Sequence, residues 1–212
     1  MGKQLCHGLG EALEDPVSPA RRNQLGNAVA LGHARRMPTL VTITGPIAAG
    51  KNTVASLLAQ RWSDEGATVV LADVDAVAAM VAGPGAAEAG LWFAAHEVHG
   101  ALVARWMLTE VDVVISVGPV YTEAEQAALF GQLPPDARPW RVLIDAPLSA
   151  TWERASADER RGISRQRDFH VAAHARFRAL LPGIPHDLLF NSGDTSAADI
   201  AAAVIRAVGA FR

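Results

Sequence analysis

The segment GPIAAGK, residues 45–51, constrains this chain most strongly, because it joins a strand-like run to a helix-like stretch. The preceding run TLVTIT (39–44) is apolar and β-branched, which is typical of a buried strand, and residues 51–63 place apolar side chains at helical spacing. A G-x-x-x-x-G-K spacing in this context is typical of a loop whose backbone N–H groups bind phosphate. The alternative is a plain glycine turn. The predicted phosphate-binding loop comprises Gly45, Pro46, Ile47, Ala48, Ala49, Gly50, Lys51, Asn52 and Thr53.

The basic residues single out the lysine of this loop. The sequence contains 19 lysine and arginine residues, and Lys3 and Lys51 are the only lysines. Because this chain uses arginine almost throughout, a lysine beside the glycine indicates that a compact ammonium group is required there. Lys51 is therefore the predicted contact to the β- and γ-phosphates of a nucleotide.

Strand-like runs alternate with helix-like stretches along residues 38–212. Strands separated by helices form right-handed βαβ units, so we predict a three-layer α/β/α domain with a five-stranded parallel sheet. Such sheets bind ligands outside the carboxyl ends of their strands. The later strands are predicted within residues 67–75, 111–120, 140–147 and 187–193, and helices at 51–63, 91–107, 122–133, 149–161 and 196–208.

Composition limits the classes of partner. Residues 1–37 are predicted to form an N-terminal extension to the domain at 38–212. The net charge of −3 provides no basic surface for nucleic acid, and no apolar run approaches the roughly 18–20 residues that span a bilayer. Cys6 is the only cysteine, which favours a reducing compartment. We expect a cytoplasmic monomer or homodimer that acts on a small molecule, without a nucleic-acid or membrane partner.

Asn52 occupies the position where serine or threonine usually supplies a hydroxyl to Mg²⁺. Here the chain resembles the nucleoside-monophosphate-kinase-like P-loop kinases, some of which read Gly-Lys-Gly-Thr, with the hydroxyl one place later. The resemblance covers residues 38 to about 210. It implies ATP and Mg²⁺, with Thr53 as a metal ligand, while the Asn52 carbonyl is a second way to hold the cation or one of its waters.

Two acids follow the second strand-like run, within ADVDAV. Alternation along a strand would point the carboxylates of Asp73 and Asp75 to one side. One would hold the magnesium shell while the other orients or deprotonates an acceptor hydroxyl. Resemblance to shikimate-kinase-like and chloramphenicol-phosphotransferase-like enzymes favours Asp75 as the base and Asp73 near the metal, although the two roles are exchangeable. The alternative is a pair of solvated aspartates that cap a helix.

The third strand-like run, VVISVGPVY, carries no acid at its end, since Asp112 lies at its beginning. The missing acid disfavours motor and switch ATPases, which hold metal and water at that place. The turn that follows lines the acceptor pocket in the resembled kinases. Ser116 and Tyr121 are therefore candidate substrate contacts, with purely structural roles as the alternative.

An arginine-rich segment precedes the fifth strand-like run, where the resembled kinases carry a mobile lid. Its RRGISR run resembles the lid of the gluconate-kinase and chloramphenicol-phosphotransferase-like group, whose arginines neutralise phosphate charge and exclude water. The alternative is a solvated helix face. The resemblance implies that Arg161 and Arg165 clamp phosphate, Arg154 packs on adenine, and the loop at Asn191 cups the base. The segment at 154–178 contains Arg154, Arg160, Arg161, Arg165, Arg167, Arg176 and Arg178.

These patterns predict an ATP-dependent phosphotransferase that moves the γ-phosphate to a hydroxyl of a small molecule. A nucleoside or nucleotide acceptor is the runner-up, and a non-catalytic ATP-binding module is the alternative from another class. Two histidine pairs, His96 with His99 and His170 with His174, lack the ligand set of a zinc site and are predicted on helix surfaces. Trp92 and Phe93 are predicted in the core rather than in a pocket wall.

Overall fold

The computed structural model describes residues 36–83, 86 and 89–209. Most of the predicted N-terminal extension, residues 1–35, lies outside them. The strands are β1 (Thr39–Thr44), β2 (Val69–Asp73), β3 (Val113–Val117), β4 (Trp140–Asp145) and β5 (Leu188–Asn191). The helices are α1 (Lys51–Asp64), α2 (Val74–Ala78), α3 (Ala89–Trp106), α4 (Glu123–Phe130), α5 (Leu148–Ala157), α6 (Arg167–Leu180) and α7 (Ala197–Val208), with 3-10 turns at Ile163–Arg165 and Leu181–Gly183.

The strands form one five-stranded sheet in the order β2-β3-β1-β4-β5, and every neighbouring pair is parallel. The register aligns Asp73 with Val117 and Asp145 with Asn191, so the strands end at a common edge. The predicted three-layer fold is confirmed. Because β1 is central, the loop after it lies in the middle of the edge where such sheets bind ligands.

Each face of the sheet carries its own buried core. On one face, Leu58 of α1 and Ile200 of α7 pack against β1 and its neighbours, together with the fully buried Trp62. On the other face, Met107 of α3 and Leu129 of α4 pack in the cluster of β1 and β3. Full burial of such a side chain stabilises the fold by about 1.5–3 kcal/mol. The first of these cores packs α1, and with it the glycine loop, against the sheet.

Local sequence signals predicted the start of α4 correctly and the end of β2 wrongly. The capping box predicted at the start of α4 is confirmed, since the Thr122 side chain accepts from the Glu125 N–H and the Glu125 side chain accepts from the Thr122 N–H. The extended run predicted through Asp75 is wrong, because β2 ends at Asp73 and α2 begins at Val74. Among the described residues, no helix has the length and apolar character needed to cross a membrane.

Several side-chain placements also differ from the predictions. His96, His99, His170 and His174 are buried, so the surface prediction is wrong for both pairs. Each of the four has at least one ring nitrogen within hydrogen-bonding distance of a protein oxygen, which compensates in part for burial of a polar ring. His99 Nδ1 is buried without a hydrogen-bond partner. The core prediction for Trp92 and Phe93 is wrong, since both remain more than a third exposed at the start of α3.

Candidate active site

The loop between β1 and α1 has a backbone that depends on glycine. A Cβ at Gly45 would overlap the Ile144 carbonyl oxygen, so the loop packs directly on the end of β4. Gly50 has φ of 91° and caps α1, and Ala48 also has a positive φ, of 59°. The first N–H groups of α1 have no partner within the helix. The predicted loop residues therefore turn backbone donors and a helix N-terminus toward one point, which suits an anion.

Lys51 is the first residue of α1 and turns its side chain back over the loop. Its Nζ donates to the carbonyl oxygens of Gly45 at 3.0 Å and Pro46 at 2.9 Å. Burial lowers the pKa of the ammonium to about 8, although the charges of Asp75 and Asp73 raise it and that of Arg161 lowers it. Lys51 thus lies in an electrostatic cluster with three predicted site residues.

Asn52 and the two aspartates form a hydrogen-bonded chain across the edge of the sheet. The Asn52 side-chain amide donates to Asp73 Oδ2 at 2.6 Å, and the Asp75 backbone N–H donates to Asp73 Oδ1 at 2.9 Å. Asp73 is the N-cap of α2, so a helix cap rather than strand alternation brings the two carboxylates together. The capping role was the alternative to a shared strand face.

The Asp75 carboxyl lies close enough to Lys51 of the loop for each charge to shift the pKa of the other group. Protein groups around its carboxyl reduce hydration and raise its pKa, and the negative charge of Asp73 raises it further. The charges of Lys51, Arg161 and His96 act in the opposite direction. A carboxylate with a raised pKa next to a lysine is the arrangement expected of a group that handles a proton.

The arginine-rich segment contributes one charge to this cluster. Arg161 Nε lies 3.5 Å from Asp158 Oδ2, and the charge of Arg161 lowers the pKa of both Lys51 and Asp75. Arg165 is exposed on the 3-10 turn, and no side-chain contact to the cluster is observed for it among the described residues. The structure therefore brings Arg161, and not Arg165, to the predicted site. Arg176 and Arg178 instead form ion pairs with Glu125 and Asp145.

A pocket of about 240 Å³ adjoins the loop on the side of α5 and α7. Arg154 lies in its wall, donating to the Ser192 hydroxyl at 2.9 Å and to the Ser192 carbonyl at 2.7 Å. The loop at Asn191 is the one predicted to cup a base, and the Asn191 side chain braces it through bonds with Gly193 and Asp194. The pocket is lined by Ala49, Gly50, Thr53, Val54, Arg154, Ser192, Thr195, Ser196, Ala197 and Ile200.

The two predicted substrate contacts lie in the interior. Ser116 is buried in β3, within 2.8 Å of His99 Nε2. Tyr121 is buried after β3, and its hydroxyl donates to the Gly45 carbonyl at 2.7 Å. Both side chains therefore have protein partners, and the Tyr121 hydroxyl contacts the glycine loop.

Sequence reasoning missed several residues at this edge. Ser192 and Thr195 line the pocket, and Asp145 ends β4 in an ion pair with Arg178. Their position after the fourth and fifth strands of a parallel sheet is the signal that could have identified them. His96, which was predicted on the surface, is close enough to Asp75 to affect its pKa. As predicted, Asp112 lies before β3, where it accepts from the Thr68 N–H at the opposite edge.

The donor set fits Mg²⁺ held mainly by phosphate and water. Magnesium prefers oxygen ligands and is usually bound by one or two carboxylates plus phosphate groups. Asp73 and Asp75 offer carboxylates beside the loop. Thr53, a predicted metal ligand, lines the pocket near Arg154, whereas Asn52 is the residue that contacts Asp73. Across the described ranges, no group of three or more His, Cys, Asp and Glu could hold a metal by itself.

Comparisons with known proteins agree on the fold. No protein-family model and no curated protein sequence matches the chain. A shikimate kinase from Acinetobacter baumannii in complex with shikimate aligns with a TM-score of 0.59 at 17% identity, over 82% of this chain and 94% of that one. The Mycobacterium tuberculosis APS kinase CysC in complex with AMPPNP and APS aligns at 0.56 and 17%, over 80% and 96%.

A sugar kinase from Janibacter sp. aligns with a TM-score of 0.57 at 15% identity, covering 82% of this chain and 99% of that one. At these identities the similarity establishes the arrangement of strands and helices. The chain therefore shares the three-layer α/β/α fold of these three kinases.

Proposed function

We propose that this chain transfers the γ-phosphate of ATP to a hydroxyl group of a small molecule. The observation that carries the proposal is a cluster of charged groups at the glycine loop. The charges of Asp73 and Arg161 shift the pKa values of Lys51 and Asp75, which also shift each other. Phosphoryl transfer needs this combination, because it depends on positioning and on charge stabilisation more than on covalent chemistry. Structural neighbours that hold shikimate, or AMPPNP with APS, support a small molecule as the acceptor.

The nucleotide would extend from the pocket to the loop. The pocket lies between α1, α5 and α7, so a base placed there sets its phosphates along the N–H groups of the loop. Arg154 supplies the planar cation at the pocket wall. Lys51 then contacts the β- and γ-phosphates. This arrangement gives Gly45, Gly50, Thr53 and the residues between them the nucleotide-binding role.

Asp75 is the group that orients or deprotonates the acceptor hydroxyl. Both oxygens of Asp73 already accept hydrogen bonds from protein donors, so Asp73 is held in place beside the metal position. The raised pKa of Asp75 brings its proton affinity closer to that of a useful base near neutral pH. When bound, Mg²⁺ neutralises phosphate charge and aligns the triphosphate.

Arg161 would neutralise charge on the transferring phosphoryl group from the lid side. Its ion pair with Asp158 holds it just before the 3-10 turn of the lid, where its charge lowers the pKa of Lys51. Arg165, on the same turn, would reach the phosphates only after the lid moves over the site. We propose Arg161 as the clamp in the present arrangement and Arg165 as a contact of the closed one.

The test is magnesium-dependent ATP turnover against a panel of hydroxylated small molecules that includes nucleosides and nucleotides. Stimulation by one acceptor, lost in Lys51→Ala and Asp75→Asn, is the expected result. Asp75→Asn should retain ATP binding, because the loop that holds the phosphates is unchanged. Asp136→Asn is the matched control, since it removes one exposed carboxylate outside the described site.

A non-catalytic ATP-binding module is the second candidate. Asn52 in place of a hydroxyl, bonded to Asp73, and the absence of an acid after β3 favour it. ATP binding without turnover across the panel, with any slow hydrolysis unaffected by Asp75→Asn, would replace the kinase proposal by this one. Failure of the chain to bind ATP would exclude both.

A further inference from the structure

Lys51 bonds two carbonyls of the loop with two of its three N–H groups. Its Nζ donates to the carbonyl oxygens of the buried residues Gly45 and Pro46. A full turn of Nζ from the loop toward the phosphates of a nucleotide breaks these bonds. A buried carbonyl left without any donor costs enough free energy to weaken an equilibrium by roughly 5- to 100-fold. The fate of these two carbonyls therefore affects how readily the loop accepts a nucleotide.

Each of the two carbonyls has a second donor in the protein. The Gly45 oxygen accepts from the Tyr121 hydroxyl at 2.7 Å, and the Pro46 oxygen accepts from the Ala49 backbone N–H at 3.2 Å. A carbonyl oxygen has two lone pairs and can accept both bonds at once. When Lys51 leaves, neither oxygen is orphaned. For Pro46 the substitute is part of the loop itself, whereas for Gly45 it comes from a residue 76 positions away.

Contacts that do not involve Lys51 hold Tyr121 in place. Its backbone N–H donates to Glu125 Oε2 at 2.6 Å, and its ring packs edge-on against Phe177, with centroids 5.4 Å apart. The Arg176 guanidinium lies over the same ring, 5.7 Å from its centroid. Burial raises the pKa of the Tyr121 phenol, so the hydroxyl keeps its proton and remains a donor. Departure of Lys51 therefore leaves the Tyr121–Gly45 bond intact.

We propose that Tyr121 is a positioning residue of the nucleotide site, whose hydroxyl keeps the Gly45 carbonyl bonded while Lys51 turns from the loop to the phosphates of the nucleotide. This proposal rests on the proposed function, because it requires a nucleotide phosphate at the loop. It gives Tyr121 a role through Lys51 and the loop backbone instead of through contact with the acceptor.

A double-mutant cycle tests the proposal directly. Tyr121→Phe keeps the ring and removes only the hydroxyl, and Lys51→Met removes the ammonium while filling its space. ATP affinity, measured by calorimetry, should fall at least about fivefold on Tyr121→Phe in the Lys51 chain. In the Lys51→Met chain the same change should alter ATP affinity less than twofold, because no ammonium has to leave Gly45. A merely structural role of Tyr121 predicts equal losses in both backgrounds.

Two controls separate this effect from general damage. Binding of adenosine, which needs the pocket but not the release of Lys51, should be unchanged in Tyr121→Phe. Thr42→Val removes another buried hydroxyl, on β1, which donates to the Trp140 carbonyl at 3.4 Å. This variant should keep an ATP affinity within twofold of the unmodified chain.

Equal losses of ATP affinity in the two backgrounds would overturn the proposal. Absence of ATP binding to the unmodified chain would overturn the proposed function and this inference together.

Discussion

The side-chain amide of Asn52 donates a 2.6 Å hydrogen bond to Asp73, the N-cap residue of α2. This bond joins the first turn of α1 to the last residue of β2, so the residue in the usual hydroxyl position is held by an acid of the site. Asp73 in turn accepts from the Asp75 N–H, which places the carboxylate of Asp75 beside Lys51. The glycine loop and the proposed base are thus connected through Asn52 and Asp73.

Replacement of Asn52 by aspartate should make nucleotide binding more dependent on magnesium. Asn52→Asp puts a carboxylate against Asp73 at hydrogen-bond range and next to the phosphates, where like charges repel. We expect ATP affinity to fall about tenfold at low Mg²⁺, corresponding to about 1.4 kcal/mol, and to recover partly at high Mg²⁺. Titrations of ATP at several Mg²⁺ concentrations check this, with Asn52→Ala as the neutral control. Equal Mg²⁺ dependence in the two variants would contradict it.

ATP binding should be accompanied by proton uptake in alkaline solution. The pKa of Lys51 is lowered to about 8, so above that pH the free chain holds mostly neutral amine. Phosphate favours the charged form and raises this pKa, so binding at pH 9 should take up close to one proton. At pH 6.5 the amine is already charged and contributes no uptake. Calorimetry in buffers of different ionisation enthalpy measures the difference, and Lys51→Met should abolish the alkaline uptake.

Loss of Glu125 should destabilise the chain more than loss of its ion-pair partner. Burial would raise the pKa of Glu125, but hydrogen bonds from the Tyr121 and Thr122 N–H groups and from Arg176 outweigh it and lower the pKa. Glu125→Ala leaves two N–H groups unpaired and should cost about 2–4 kcal/mol in free energy of unfolding. Arg176 is half exposed, so Arg176→Ala should cost about 1 kcal/mol or less. Urea unfolding compares the two, and equal losses would argue against the burial of Glu125.

The fold should lose stability as the pH falls from about 6.5 toward 4. Burial lowers the pKa of His99 to about 4, with the Asp73 charge opposing and the His96 charge reinforcing this shift. In that pH window the unfolded chain binds the proton and the folded chain does not, so the free energy of unfolding declines with acidification. The His99 share approaches about 3 kcal/mol at pH 4. His99→Gln should flatten the pH dependence of urea unfolding, whereas parallel curves for the two chains would contradict the prediction.

Short-range patterns predicted much of the backbone. The glycine spacing at Gly45 and Gly50, the alternation of strands with helices, and the capping box at Thr122 all describe residues a few positions apart. Such patterns succeed because hydrogen bonding and steric limits on φ and ψ act locally. The common edge at which the strands end also followed from general rules for parallel sheets. The order of the strands was not predicted and comes from the structure.

Where the sequence failed, the decisive partner lay far away along the chain. The burial of His96 and His99 depends on how α3 packs on β3, and a helical period cannot distinguish the buried polar side from the exposed one. The end of β2 at Asp73, and hence the relation between Asp73 and Asp75, depends on a cap that competes with strand extension. Of the two arginines predicted as clamps, Arg161 is the one that lies at the cluster. The conformation of the lid decides this, and spacing along the chain does not.

By itself, the sequence determined that a glycine loop joins the first strand to a helix in a parallel α/β domain, because the residues that shape this backbone are contiguous. Only the tertiary structure decided which side chains act on that loop. Tyr121 meets Gly45 across 76 residues, and Asn52 meets Asp73 across 21. These bonds exist because the sheet brings the ends of its strands to one edge, and side-chain partners at that edge are selected by packing and burial rather than by spacing along the chain.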